Sequence, residues 1–281
     1  MVKLRSIVCV PFFVGLIAGC GTNGSDKDYS SADSSATAVY GDEIYGISAT
    51  GDTVIFMSDS SDCLKMYFRF AHYNISGDLR DSVIEDIYNF NLLRKGSTIA
   101  DAFSSTFSST NDSVAHDNEE FSRDSEEINK CVSNLDVYPA FSYGDDYVTF
   151  AFINSYGCSM ACHGLHSVRY CTYKKDSGKR LTWNDFDKGH AFHDVLLQSL
   201  MSYFEEKTID GLMSHLDYDA VDCDSVPYPA YCLPAVVDDH ILALYQQYEI
   251  ACYAEGIPCA SIPLDFAMQH LSSSGKAFFN K

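Results

Sequence analysis

Residues 63–96 read CLKMYFRFAHYNISGDLRDSVIEDIYNFNLLRKG, and the hydrophobic period changes within them. From Cys63 to Tyr73 apolar and polar side chains alternate, the pattern of a strand with one buried face. Further on the spacing lengthens, and Leu79, Val83, Ile87 and Phe90 fall on one helical face. Ser76 or Asp78 is placed to cap that helix, and Gly96 to end it.

Working outward, EIYGISA and DTVIFMS read as short strands around Thr50-Gly51. Residues 104–130 are rich in Ser, Asn, Asp and Glu and read as a surface segment, partly helical. VYPAFSYGDDYVTFAFINS gives two strands around Gly144-Asp145-Asp146, a hairpin signature. SVRYCTYKKDSGKRLTW gives a second hairpin turning at Asp176-Ser177-Gly178. Phe192, Leu196, Leu200 and Phe204 repeat every four residues, which predicts a helix over about 190–206. AYCLPAVVDDHILALYQQYEI holds two strands around Asp238-Asp239, and IPLDFAMQHL closes the fold as a helix with Pro263 in its first turn. Strands and helices do not alternate regularly. The expectation is an α+β fold: a largely antiparallel β-sheet with a few packed helices.

The N-terminus has a different character. Lys3 and Arg5 precede IVCVPFFVGLIAG, too short an apolar run to span a bilayer and shaped like a secretory signal. Ile17-Ala18-Gly19-Cys20 resembles the bacterial lipoprotein box. That resemblance implies a signal peptide over 1–19, cleavage before Cys20 and acylation of its sulfur. Residues 20–40, mostly Ser, Asp, Gly and Thr, then read as a lipid-anchored flexible tether. The expected location is the bacterial cell envelope, outside the cytoplasm. Gly21, where aspartate would retain a lipoprotein at the inner membrane, points to the outer membrane if the cell is Gram-negative.

Loss of Lys3 and Arg5 takes the formal charge from −20 to −22. So acidic a chain argues against nucleic acid and favours a cationic partner. Beyond Cys9 and Cys20, nine of the eleven cysteines remain: Cys63, Cys131, Cys158, Cys162, Cys171, Cys223, Cys232, Cys252 and Cys259. Outside the cytoplasm these are disulfide candidates, and an odd number leaves one unpaired within the chain. Cys223–Cys232 and Cys252–Cys259 are plausible local pairs.

Three pieces carry a resemblance to a known family. SMACHG is similar to a Gly-Gly-Ala-His-Gly turn, with His163 and Gly164 matching. YCTYKKDSGKRLTWNDF is similar to that family's Asp-x-x-x-Gly-Lys-x-Leu-Thr hairpin, which includes Gly178. DDHILALYQQYEIACYAEGIPCASIP resembles its strand followed by Tyr-Glu-Ile-Ala-Pro-Tyr-Ala-x-Gly. The family is DUF3298, the RsiV-like C-terminal domain of lysozyme-binding anti-sigma factors and of bacterial lipoproteins. On this resemblance residues 135–281 form the DUF3298/RsiV-like domain. Residues 41–134 are similar to its companion, DUF4163 or PdaC-type. Met160 and Ala161 replace the paired glycines, Cys162 the alanine and Cys252 the proline.

The resemblance implies a binding role. Tyr248, Glu249, Tyr253 and Gly256 are the candidate partner-binding residues, with Glu249 suited to a cationic partner. His163, Gly164 and Gly178 are candidate structural-turn residues, His163 tying backbone groups together. Cys158, Cys162, His163 and His166 could in principle hold zinc, but their spacing is not that of a zinc ribbon. No nucleophile motif is present, and Asp145-Asp146 and Asp238-Asp239 fall in turns. No catalytic residue, metal or cofactor is therefore assigned. The expected function is non-catalytic recognition of a lysozyme-like cationic protein or a cell-wall glycan such as peptidoglycan, with membrane lipid as the partner of acylated Cys20. An envelope hydrolase acting on cell-wall material and a structural lipoprotein are the alternatives.

Overall fold

The structure, a computed structural model, describes residues 48–50, 53–58, 63–71, 75–121, 128–216 and 226–280. The signal segment, Cys20 and the tether lie outside them, as does Cys223 and with it the Cys223–Cys232 pair. Strands β1 (Ser48–Thr50), β2 (Thr53–Ser58) and β3 (Leu64–Phe70) lead into helices α1 (Gly77–Asn89) and α2 (Ile99–Phe121). Strands β4 (Cys131–Tyr143), β5 (Tyr147–Cys158) and β6 (Leu165–Lys174) follow. Then come α3 (His190–Tyr203), α4 (Ile209–Met213), β7 (Ala235–Val237), β8 (His240–Leu244), β9 (Cys259–Pro263), α5 (Leu264–Gln269) and α6 (Ser273–Phe278).

Among the described residues β1 to β6 form one sheet in sequence order, and β7 to β9 a second. The fold is α+β, as the sequence predicts. All strand pairs are antiparallel except β3–β4, which run parallel because α1 and α2 carry the chain back across the sheet. The division expected after residue 134 falls inside β4. The upstream region shares one sheet with the strands that follow it.

Strict alternation in β3 drives Met66, Phe68 and Phe70 into a core with Leu79, Val83 and Ile87 of α1 and Phe103 of α2. On the opposite face of the sheet, Ala151 and Tyr170 pack against Ala235 and Leu244 of the second sheet. The other side of that second sheet, through Ile241, Ala243 and Ile262, meets Phe192, Leu196 and Leu200 of α3. Helix α6 brings Phe278 and Phe279 onto Tyr147, a contact absent from the sequence reading.

The segment 104–130, expected as a partly helical surface segment, is helical as far as Phe121, where α2 ends. Ser104, Thr106, Thr110 and Ser113 each donate a hydroxyl to the carbonyl four residues back. That bonding satisfies the side chains without breaking the helix. Ala102, Phe103 and Val114 bury its inner face. Gly96 does not end α1; the chain leaves it at Phe90 and takes a left-handed step at Asn91 (φ 55°), which asparagine tolerates. The second hairpin turns where expected, at Asp176-Ser177-Gly178: Lys174 N donates to Lys179 O at 2.9 Å and Leu181 N to Thr172 O at 2.8 Å about an antiparallel bridge at Tyr173–Arg180. Its second arm is short, and the long partner of β6 is β5.

Gly178 itself is buried at φ 63°, where a Cβ would stand 2.4 Å from Asp78 O. The turn is thereby pressed onto α1. Arg180 continues the contact, donating Nε to Asp86 Oδ2 at 2.7 Å and a terminal nitrogen to Glu85 Oε2 at 2.7 Å. Tyr173 Oη donates to the same Asp86 oxygen at 2.5 Å. Burial pushes the Tyr173 hydroxyl well up, so it acts here as a donor.

Candidate interaction site

Two hairpin connections meet at one end of the sheets. The first, residues 159–164, closes β5–β6. Its base carries the Cys131–Cys158 disulfide, across a registered pair of β4 and β5. Asn129 Oδ1 accepts from Met160 N at 3.1 Å, and Ser159 N donates to Lys130 O at 2.9 Å. A Cβ on Gly164 would lie 2.9 Å from Tyr156 O, so the tight return needs glycine there.

The second connection, residues 245–258, joins β8 to β9. Tyr245 N donates to Pro258 O at its neck, and Tyr248 N to Ala251 O at its tip. Tyr248 holds φ 65° and Gly256 φ 77°. A Cβ on Gly256 would lie 3.3 Å from Tyr203 Oη, the group that donates to Glu255 O at 2.9 Å. Leu216 bridges to Ala251. His215 reaches the same turn: Nδ1 lies 3.1 Å from Glu255 Oε1 and Nε2 3.2 Å from Glu206 Oε1. These bonds, to Glu255 first and then Glu206, raise the His215 pKa.

Glu249 also has a part in holding this loop. Its Oε1 accepts from Ala230 N at 2.6 Å and its Oε2 from Gln246 N at 2.7 Å. Each oxygen accepts one backbone amide, so Glu249 braces the loop.

The two loops are joined through rings. His163 stacks on Tyr253 with centroids 4.0 Å apart and planes 23° apart. Tyr248 stands 6.3 Å from Tyr253 at 32°. Tyr248 is 58% exposed, and Met160 in the first loop (45%) and Leu165 at the start of β6 (56%) are exposed too. Gln246 Nε2 donates to Val168 O at 2.8 Å, and His166 N to Gln247 Oε1 at 3.4 Å. His163 is exposed, with Nδ1 3.1 Å from Gly164 O. It touches one backbone group of its own turn, and its main contact is the ring of Tyr253. The sequence placed His163 among turn residues and Tyr253 among partner-binding residues; the structure makes them one surface.

Two further contacts were not foreseen from the sequence, although His166 was named there as a possible zinc ligand. Ser155 and His166 are cross-strand partners, Oγ to Nδ1 at 2.7 Å. Burial lowers the His166 pKa, which keeps the ring neutral near pH 7. Among the described residues no carboxylate is bonded to His163 or His166, so neither has the orienting acid of a hydrolytic triad. Tyr203, whose hydroxyl carries the Glu255 turn, lies within the expected helix but off its four-residue repeat, and had no other signal.

The cysteines divide by environment. Cys158 is in the disulfide and offers no thiolate to a metal. Cys171 and Cys232 are buried thiols pushed upward by desolvation, Cys232 to about 12. Cys162 and Cys252 are exposed free thiols, each one residue before a stacked ring, so the expected Cys252–Cys259 bridge is not formed.

The arrangement defines a layered α+β protein with a ring-lined surface built from two hairpin connections. No family model and no curated relative matches the sequence. The chain does resemble solved structures. A DUF3298 family protein from Bacteroides fragilis NCTC 9343 superposes with a TM-score of 0.55 at 15% identity, over 77% of this chain and 87% of that one. Another, from Pseudomonas aeruginosa PAO1, gives 0.49 at 13% identity, over 79% and 92%. The fold of this chain is that of the DUF3298 family protein from Bacteroides.

Proposed function

We propose that this is a lipid-anchored envelope protein that binds an extracellular cationic protein, without catalysis, through the Tyr248–Tyr253–His163 surface. The observation that carries the reading is the exposed ring array with Met160 and Leu165 beside it. Large rings give contact area at low entropic cost, and tyrosine faces attract lysine and arginine. The net charge of −20, or −22 for a chain starting at Cys20, supplies long-range steering. The resemblance to RsiV-like domains suggests a lysozyme-like partner. The lipoprotein box at Cys20 supports the anchor.

Binding of the full chain to hen lysozyme and to purified peptidoglycan tests this. Expected are binding to lysozyme that weakens as salt rises, and at least about a tenfold loss in Tyr253→Ala with the fold intact. Binding to neither at low salt refutes the reading, and binding to peptidoglycan alone moves the partner to a glycan. Incorporation of an alkyne fatty acid that Cys20→Ala abolishes tests the anchor.

A further inference from the structure

A second site lies on the α1 side of the sheet, away from the ring surface. Strand β4 slips register against β5 between Pro139 and Phe141, leaving Ala140 without a partner. Such a bulge bends its strand and redirects side chains. Beside it opens a cavity of about 400 Å³, within the range of small-molecule sites. Its floor is apolar: Leu79, Val148 and Phe150 are all buried. Its mouth holds Ser142 and Lys175.

Lys175 differs from the cations around it. Lys174 donates to Asn280 Oδ1 at 2.9 Å and lies 3.8 Å from Asp176. Arg180 is bound to Glu85 and Asp86, and Lys179 sits over the Phe278 ring. Among the described residues no carboxylate lies within ion-pair distance of the Lys175 ammonium. Its backbone is fixed from both sides, with N donating to Asp146 O at 2.7 Å and O accepting from Ser76 Oγ at 3.2 Å. The cavity thus joins an apolar floor to an unpaired, half-buried cation held at its rim.

We propose that this cavity binds a monocarboxylate with an apolar tail, a free medium-chain fatty acid, with the carboxylate on Lys175 and the tail against Leu79, Val148 and Phe150. A carboxylate meets the ammonium and the Ser142 hydroxyl, and each methylene leaves water on entry. Affinity therefore rises about fourfold per added methylene until the floor is filled.

The test titrates the full chain with hexanoate, octanoate and decanoate carrying a 13C carboxyl, followed by NMR. Expected are stepwise tightening along the series and a bound carboxyl that stays ionised. Octanol should bind at least about tenfold more weakly than octanoate. Lys175→Gln should lose about tenfold, with Lys175→Arg retaining most binding. Ala140→Trp, which fills the bulge side, should remove binding of every ligand while circular dichroism stays unchanged. The proposal is overturned if none of the acids binds, if Lys175→Gln binds as the unsubstituted chain does, or if an octyl phosphate binds more tightly than octanoate.

Discussion

His215 should make the turn carrying Tyr253 sensitive to pH. Its ring bridges Glu255 and Glu206, and its other contact is the Phe204 ring, stacked at 5.0 Å. Only the protonated imidazole donates from both nitrogens. Among the described residues Glu255 and Glu206 are the charged groups facing it, and both raise its pKa above the ordinary value of about 6.5. A raised folded-state pKa means that the contribution to stability is fully present below about pH 6.5 and is lost as pH climbs through the folded value. The three side chains are 29%, 33% and 30% exposed, so solvent screens the pairs. Two such partly screened bonds to charge are together worth about 1–2 kcal/mol. For a chain of this length that shifts the melting temperature by about 2–8 °C. Melting of the unsubstituted chain and of His215→Gln at about pH 5.5 and about pH 8.5 reads the effect. The gap between them should be wide at the lower pH and narrow at the higher one. Amide exchange over 251–256 should quicken in parallel as pH rises. An equal gap at both values would refute the reasoning, because the loss would then be one of packing against Phe204 rather than of a proton.

Gly178→Ala should destabilise by about 2 kcal/mol or more in urea unfolding, because a positive φ and a clash with Asp78 O act together. Arg180→Met should cost about 3 kcal/mol by leaving Asp86, 4% exposed, without its cation. Adding Asp86→Asn should recover part of that loss, and a strictly additive double mutant would contradict the pairing. Tyr248→Gly should change stability by less than about 1 kcal/mol, the relief of a left-handed tyrosine offsetting the freer unfolded chain. Tyr248→Val should be clearly less stable, since β-branched residues resist positive φ. Both should lose binding at the ring surface.

The elements whose signal is local were legible in the sequence. The alternation in β3 and the four-residue repeat in α3 specify their buried faces directly, and both appear as read. Helix α2 was not legible because its hydroxyl side chains favour loops on average, and only their bonds to carbonyls four residues back make them neutral. The parallel β3–β4 pair depends on where two helices return the chain, which no window of sequence contains. The site divides in the same way. Tyr248, Tyr253 and Gly256 stood in one motif, and their turn does carry the left-handed steps such a motif requires. The bracing by Glu249 was not legible because one of its bonds is to Ala230, nineteen residues away. The pairing of His163 with Tyr253 joins connections that belong to two different sheets and leaves no trace in either segment alone.

Why the rings lie where they do follows from the cost of holding them. A tyrosine at φ 65° carries strain of about 1 kcal/mol or more, and one 58% exposed gains little from burial in return. Stability alone would favour glycine or asparagine at that tip. The surroundings are built to maintain the tyrosine instead. Glu249 fixes the loop through two amides, Ala251 O takes the Tyr248 N–H, and Tyr203 and His215 hold the far side at Glu255. Four separate restraints on one short connection, none of which buries the Tyr248 ring, are better explained by a need to present that ring than by a need to fold. On the function proposed above, recognition and stability are then separate at the site, and substitution of the rings should remove binding while the braces beneath them keep the loop in place.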